Sequence, residues 1–164
     1  MFRTIRRTKQ ILSPNECLEI LERGTSGVLS VFGDDDYPYA IPLNYTYNKG
    51  KLFFHSAKSG HKIDAILNHP KVSFCVIDQD QIVPQKYTSY FRSVIAFGKA
   101  HILDNANEIR TALELLAMKY SFSQPEEDRN REIEKDFKMV CIIEVMVEHL
   151  SGKEAIELVR MKNK

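Results

Sequence analysis

The stretch LFFHSAKSGHKIDAI, residues 52 to 66, places small, polar and basic side chains where a predicted strand passes into a predicted helix. The start of a helix presents unpaired backbone N–H groups and a partial positive charge, which together favour a phosphate. Ser56, Ser59, His61 and Lys62 lie within this junction, and their hydroxyl and cationic groups suit phosphate oxygens. The same stretch also fits a capped helix with a surface lysine. An anion site and an ordinary turn therefore both remain open on this stretch alone.

Three features elsewhere in the chain favour a binding site. Phe53 and His55 alternate onto one face of their strand, so an aromatic wall and an imidazole would line one side of a pocket. Asn44 points away from a row of tyrosines on the preceding strand and can offer amide donors and acceptors to a heterocycle. Arg92 and Ser93 add a cation and a hydroxyl to an otherwise apolar strand, where a charge needs a partner.

Other chemistries lack their signatures. The histidines are His55, His61, His69, His101 and His149, and their spacing matches no zinc pattern. We therefore expect no metal site, and we expect the last three to be a helix-stop residue and two exposed strand residues. The acidic run at 34–36 lacks the alternating ligands of a calcium loop and predicts a solvated hairpin turn. The sequence contains no GxSxG, P-loop or GxGxxG motif.

Hydrophobic periodicity supplies the elements that must position these residues. Alternation with period two predicts strands at 26–32, 37–47, 51–55, 71–78, 87–103 and 138–149, with Gly98 at a bulge or bend. A capping box of Ser13 and Glu16 predicts a helix that ends at Gly24. A short helix with Ile63, Ile66 and Leu67 on its apolar stripe is expected to follow the 51–55 strand and to end at His69-Pro70. Further helices are expected after Asp104 or Asn105 and, as a short solvated helix, within the charged loop 124–136. Close strand spacing and hairpin connections favour an α+β fold, a mainly antiparallel six-stranded barrel with peripheral helices in one domain, 1–164.

Bulk composition limits the classes of partner. The 164 residues carry 23 basic and 22 acidic side chains, a net charge of +1, which gives no electrostatic basis for nucleic-acid binding. The N-terminal residues lack the apolar segment of a secretory signal, and no apolar run is long enough to cross a bilayer. Cys17, Cys75 and Cys141 form no CxxC pair and lie among apolar residues, so we expect reduced core thiols and a cytoplasmic protein.

Several blocks of the chain together resemble a known family. YPYAIPLNYTYNKGKLFFHSAKSGHKIDAILNHPKVSFCV, followed by FRSVIAFGKAHIL and HLSGKEA, is similar to the FMN-binding split-barrel proteins related to pyridoxamine 5′-phosphate oxidase. Within that superfamily the chain most resembles the branch of nitroimidazole-resistance (Nim) proteins. The resemblance runs from residue 6 to residue 155, and the order of the blocks is more specific than any single motif.

The resemblance implies a homodimer that binds FMN in grooves at the subunit interface, and a small-molecule substrate. It places the phosphate loop at Ser59, His61 and Lys62. The residues beside the isoalloxazine ring would be Pro42, Leu43, Asn44, Phe54, His55, Ser56 and Ala57. The contribution of the partner strand to the site would come from Arg92 and Ser93.

The resemblance also suggests a reaction. In the Nim branch the histidine of the FHSA block lies near the flavin and is implicated in nitro-group reduction, and His55 is the matching position. Physically, reduction of a nitro group builds negative charge on its oxygens, and a nearby imidazole can donate a proton. Two departures argue against vitamin B6 chemistry: the phosphate loop has His61-Lys62 in place of an Arg-Lys pair, and the substrate-binding C-terminal segment of the oxidases is missing.

Two alternatives stay open at this level. No NAD(P)H motif is visible, so the chain could be a flavin-binding carrier or sensor without turnover. Some relatives in the superfamily bind haem, and a haem barrel is the second alternative. The main expectation is an FMN-dependent oxidoreductase that reduces a small electron-poor substrate.

Overall fold

The computed structural model describes residues 2–162. Helices and strands alternate irregularly along the chain, as expected for an α+β protein. The helices are α1 (Pro14–Arg23), α2 (His61–Asn68), α3 (Ala106–Ser121), α4 (Glu126–Asp136) and α5 (Ile156–Lys162). The strands are β1 (Ser26–Phe32), β2 (Pro38–Asn44), β3 (Thr46–Asn48), β4 (Lys51–Ala57), β5 (Lys71–Val83), β6 (Thr88–Ile102) and β7 (Val140–Glu154).

The strands form one sheet in the order β2-β1-β5-β6-β7-β4-β3, and every pairing in it is antiparallel. Edge strands β2 and β3 are separated in sequence by Tyr45 alone. Because one residue cannot span the width of a flat seven-stranded sheet, the sheet curls until its two edges meet. Gly98 lies at a bulge between β6 and β7, as predicted, where a Cβ atom would collide with the carbonyl group of Met146.

The interior of the curled sheet holds the main core. Tyr45, Phe54 and Phe74 pack edge-on at its centre, with ring centroids 4.7 Å apart for Tyr45–Phe74 and 4.9 Å apart for Phe54–Phe74. Helix α1 adds Ile20 and Leu21 to this core, and α2 adds its own buried apolar residues. The core therefore fixes α2, and with it the junction between β4 and α2.

Helix α1 begins as predicted. The Oγ atom of Ser13 accepts a hydrogen bond from the backbone N–H of Glu16 at 3.3 Å, and the Glu16 carboxylate accepts one from the Ser13 backbone at 2.8 Å. Helix α3 begins at Asn105, whose side chain accepts from two backbone N–H groups. The prediction of a helix in the charged stretch 124–136 is confirmed by α4.

A second, smaller core lies on the outer side of β4 and β7. Helices α3 and α4 cover Phe53 and Ile142 there, with Leu113, Leu116 and Ile133 as the main helical contacts. Phe53 and His55 are two residues apart on β4 and therefore share this outer face. The helix pair consequently forms a wall beside His55.

The structure corrects several details of the sequence-based expectations. The predicted strand at 37–47 is interrupted because Tyr45 turns inward and its hydroxyl donates to the carbonyl of Leu21 at 2.7 Å. The sheet thus has seven strands, where six were expected. The prediction that Leu67 is part of the buried stripe was wrong, since 68% of its surface is exposed. Strands β5 and β7 extend further than predicted, to Val83 and Glu154.

The three cysteines are free thiols; Cys17 and Cys141 are buried, and Cys75 is half-buried on the outer face of the sheet. The acidic turn at 34–36 is largely exposed. Of the helices within residues 2–162, none is long and apolar enough to cross a membrane.

Candidate functional site

The backbone at the junction between β4 and α2 turns at a glycine. Gly60 precedes the first residue of α2 with φ +121°, a conformation that side-chain-bearing residues rarely adopt. No side chain caps this end of the helix, so its first N–H groups are not satisfied by a capping residue. Ser59 lies beside them and is exposed. The helix therefore begins with donors available to a ligand.

Lys62 stands over the same junction in a partly desolvated position. Burial lowers the pKa of its ammonium group from the ordinary lysine value, and Cys141 lies close enough to influence it. Cys141 in turn donates from its thiol to the carbonyl of Ala57 at 3.2 Å, and burial raises its pKa. A lysine held away from water near a helix start is stabilised by a bound anion.

The side chain of His61 is engaged on the other side of the junction. Its ring stacks on Tyr39 at a centroid distance of 4.3 Å, and its Nε2 atom accepts a hydrogen bond from the backbone N–H of Asp34 at 3.3 Å. The predicted phosphate contact of His61 is therefore available through its backbone N–H group. The imidazole anchors α2 to the turn between β1 and β2.

A cavity of about 540 Å³ opens next to this junction, on the outer side of the sheet. Asn44 and His55, which the sequence placed near a common ligand, both line it. The remaining walls come from α3, α4 and Val140, the partner of Ala57 in the β4–β7 ladder. This volume falls within the range of small-molecule sites. The structure thus brings together two of the predicted site residues, one from an edge strand and one from the strand next to the opposite edge.

Tyr120 stabilises the corner at Tyr45, where the chain passes from β2 to β3, and thereby positions Asn44. Its hydroxyl accepts from the backbone N–H of Tyr45 at 2.8 Å and lies 2.5 Å and 2.6 Å from the carbonyl oxygens of Thr25 and Tyr45. The Asn44 amide donates to the same Thr25 carbonyl at 2.9 Å. Sequence reasoning missed Tyr120, although it continues the helical stripe of Leu113, Leu116 and Ala117. Its partners across the corner could not be read from periodicity.

The other predicted ring contacts divide between the two faces of the sheet. Phe54 and Ser56 are buried on the inner side, and Leu43 packs against the same core, so a ligand outside would meet only their backbone. Pro42 and Ala57 are exposed. His55 is exposed as well, and its imidazole makes no hydrogen bond or ion pair with another residue in the described range 2–162.

Arg92 and Ser93 are adjacent on β6 and therefore point to opposite faces. Arg92 is bound on its own face by two carboxylates, Glu154 at 3.1 Å and Asp78 at 3.2 Å. Asp78 also pairs with Arg23, and Glu154 also pairs with Lys162. The structure does not bring Arg92 to the β4–α2 junction of its own chain. This ion network accounts for a cation within an apolar strand.

The site and fold have a clear family assignment. The model of the family described as pyridoxamine 5′-phosphate oxidase matches residues 13–154, and the chain belongs to this family. The antiparallel sheet with its covering helices is the split barrel of such proteins. No protein of curated function matches the sequence.

Solved structures of similar fold come from several bacteria. A candidate 5-nitroimidazole antibiotic resistance protein from Bacteroides thetaiotaomicron has 20% identity and a TM-score of 0.74, with 88% of this chain and 86% of that chain covered. The conserved hypothetical protein Rv2991 from Mycobacterium tuberculosis has 16% identity and a TM-score of 0.79, with coverages of 92% and 90%. An FAD-binding protein from Mesorhizobium loti has 23% identity and a TM-score of 0.60, with coverages of 89% and 97%. At these identities the likeness concerns the fold.

The hydrogen bonds of Tyr120 lead to a stability prediction. Tyr120→Phe removes the acceptor of the Tyr45 N–H and should lower the free energy of unfolding by about 1–2 kcal/mol, the cost of an unsatisfied backbone donor. Urea denaturation followed by circular dichroism measures the change. Tyr87→Phe is the matched control, because Tyr87 is 98% exposed and should give the wild-type midpoint. Equal midpoints for both variants would contradict the assigned role.

Proposed function

We propose that this protein binds FMN and acts as an oxidoreductase that reduces a small electron-poor substrate such as a nitroimidazole. The observation that supports it most is the arrangement along β4. His55 lines the 540 Å³ cavity, and the uncapped start of α2 follows six residues later. In the proposed flavin groove the start of α2 would hold an anion and the cavity beside His55 would hold an aromatic ring, which are the two parts of FMN.

The residues present fit the phosphate group. The unsatisfied N–H groups after Gly60 supply oriented donors, Ser59 supplies a hydroxyl, and Lys62 supplies a charge that burial destabilises. An anion at this position would restore the electrostatic balance around Lys62. The stacked imidazole of His61 keeps the start of α2 in place through Tyr39 and Asp34.

The ring end of the groove would lie against the outer sheet face near Asn44 and His55. Asn44 retains its side-chain carbonyl for a ligand while its amide nitrogen is held by Thr25. When bound, a flavin accepts and delivers electrons, which is the chemistry that reduction of a nitro group requires. The chain itself orients the substrate in the cavity and supplies a proton.

His55 is the proton donor in this proposal. Its imidazole is exposed, faces the cavity and is not committed to another described side chain. A role in which His55 only ends the strand is less well supported, because β4 continues to Ala57. Proton donation from a ring nitrogen of His55 to a substrate oxygen would offset the negative charge that reduction creates there.

The complete site would need a second copy of the chain. The central outer face of the sheet carries a row of small and apolar side chains that are exposed or half-buried: Pro42, Val28, Cys75, Ile95 and Ser151. The helices pack elsewhere, with α1 and α2 against the main core, α3 and α4 on β4 and β7, and α5 against Tyr90. Ser93 lies on this same outer face, next to Ile77, which is 66% exposed. A homodimer through this face would carry Ser93 to the partner's groove.

The first prediction concerns the cofactor. The purified protein should bind FMN with a yellow visible spectrum, and Lys62→Ala should weaken FMN binding by about tenfold or more through loss of a partly buried charge. Fluorescence titration of the apoprotein with FMN, FAD and riboflavin measures the affinities. Lys9→Ala, an exposed lysine near the N-terminus, is the control. A colourless protein that takes up none of the three flavins would refute the proposal.

A second prediction separates catalysis from binding. His55→Gln should retain FMN affinity yet lower the rate at which dithionite-reduced protein transfers electrons to 2-methyl-5-nitroimidazole by about 100-fold, the scale of general-acid catalysis. Anaerobic stopped-flow absorbance records flavin reoxidation. His69→Gln is the control, since His69 contacts Phe32 at the far end of α2. If wild-type protein passes no electrons to any nitro compound, a flavin carrier or sensor without turnover is the better description.

A third prediction tests the assembly. Ile95→Glu places a charge at the centre of the proposed interface and should convert a dimer to a monomer with weaker FMN binding, because burial of an unpaired charge is costly. Sedimentation velocity measures the mass, and circular dichroism verifies the fold. Met118→Glu on the exposed side of α3 is the control and should remain dimeric. A monomeric wild-type protein, or a dimeric Ile95→Glu variant, would refute this interface.

A further inference from the structure

We infer that the cavity beneath α4 selects a small, flat substrate that carries a positive charge, such as a heteroaromatic ring with an ammonium group. The inference rests on the proposed function, because it assigns a substrate class to the cavity in which His55 would donate its proton. The groups that carry it lie on α3 and α4, away from the proposed phosphate loop.

The cavity has an apolar floor and an acidic mouth. Leu113, Leu116 and Ile133 form part of the floor and are buried. At the mouth, α4 presents Asp128, Glu132 and Asp136, which are four residues apart and hence on one helical face. A flat apolar ring fits the floor, while a cationic group on that ring would reach the carboxylates.

The positive groups nearby cancel only part of this charge at the cavity. Arg129 is the one lysine or arginine among the lining residues; its guanidinium donates to the neutral backbone carbonyls of Phe122 and Gln124 and keeps its charge, so one cation faces three carboxylates in the lining. Arg131 and Lys135 pair with Asp128 and Glu132, but both cations are at least 70% exposed and neither lines the cavity. Exposed pairs of this kind are weak and leave the carboxylates largely available.

Helix electrostatics explains only some of the acidic residues of α4. Glu126, Glu127 and Asp128 lie in the first turn, where the partial positive charge of the helix end favours them. Asp136 is the last residue of α4, where a carboxylate is disfavoured by the helix dipole. Its placement at the cavity mouth therefore needs another reason, and a cationic ligand supplies one.

The two ends of the groove consequently have opposite charge. Lys58 and Lys62 flank the proposed phosphate loop, whereas the mouth beneath α4 carries three carboxylates. An anionic compound would be repelled from the mouth, and a cationic one would be attracted to it. Charge thus separates the proposed place for a phosphate, at the start of α2, from the proposed place for a substrate, in the cavity beneath α4.

The test compares two nitroimidazoles that differ in one group. The cation 1-(2-aminoethyl)-2-methyl-5-nitroimidazole and its neutral 2-hydroxyethyl analogue are titrated calorimetrically into flavin-loaded protein and into apoprotein. At about 20 mM salt the cation should bind about fivefold more tightly, and at about 0.5 M salt the advantage should fall below about twofold, because ions screen exposed charges.

The variant Glu132→Gln/Asp136→Asn should abolish this preference and leave FMN affinity unchanged. Glu126→Gln/Glu127→Gln is the matched control, since it removes the same charge from the same helix at exposed positions that do not line the cavity. The single variants Glu132→Gln and Asp136→Asn should each reduce the preference by half or more. They replace the double variant in the test if the double variant unfolds.

The outcomes distinguish the two proposals. Equal binding of the two compounds, or a preference that survives in Glu132→Gln/Asp136→Asn, would overturn the charge selection even if FMN binds. Binding of neither compound to flavin-loaded protein would overturn it as well. Failure of FMN to bind would refute the proposed function, and a salt-sensitive preference of the apoprotein for the cation would still support the acidic cavity.

Discussion

The one-residue connection between β2 and β3 is the constraint on which the rest of the structure depends. These strands occupy opposite edges of the sheet, and Tyr45 alone joins them. The sheet must therefore curl, and the buried ring of Tyr45 lies at the centre of the core. Closure also moves Asn44, at the end of one edge strand, to the side of His55, on the strand next to the other edge. The cavity is a consequence of this closure.

Helix α3 stabilises the closed sheet. The hydroxyl of Tyr120 ties the backbone of Tyr45 to Thr25, and the Nζ atom of Lys119 lies 4.1 Å from the centre of the Tyr45 ring. Burial lowers the pKa of Lys119 to about 8, because no hydrogen-bond partner within the described chain compensates its lost hydration. The contact with the aromatic face offers partial compensation. The helix that stabilises the corner is thus the same helix that forms the cavity floor.

Much of this architecture was predictable from sequence because it depends on local patterns. The strand alternation, the capping box of α1 and the bulge at Gly98 each follow from residues close together in the chain. The interruption at Tyr45 was not predictable, since it depends on a hydrogen bond to the distant carbonyl of Leu21. Leu67 was placed in the core by its periodicity, yet α2 buries Ile63, Ala65 and Ile66 and leaves Leu67 on its exposed side.

The same distinction applies to the candidate site, where local patterns were predictable from sequence and contacts between distant residues were not. Gly60 and Lys62 could be recognised because a helix start carries its own electrostatics, and these residues do lie at one. Arg92 could not be interpreted from its own strand, because its partners Asp78 and Glu154 come from the two neighbouring strands. The acidic face of α4 was likewise read as a solvated helix, since nothing local reveals that a cavity lies beneath it.

The ion network around Arg92 also bears on how two copies would meet. Each carboxylate in it serves two cations, so that Asp78 joins Arg23 to Arg92 and Glu154 joins Arg92 to Lys162. The charge of Arg92 is thereby neutralised on the face that holds α1. On the opposite face Ser93 lies between Ile77 and Lys153, and the Nζ atom of Lys153 lies 5.3 Å from the centre of the Phe91 ring. The adjacent row of Pro42, Val28, Cys75, Ile95 and Ser151 carries no charge, so it can be buried without the desolvation penalty that opposes association. The same residues that close the barrel on one side therefore leave the other side suited to a second copy, where the proposed flavin groove would be completed.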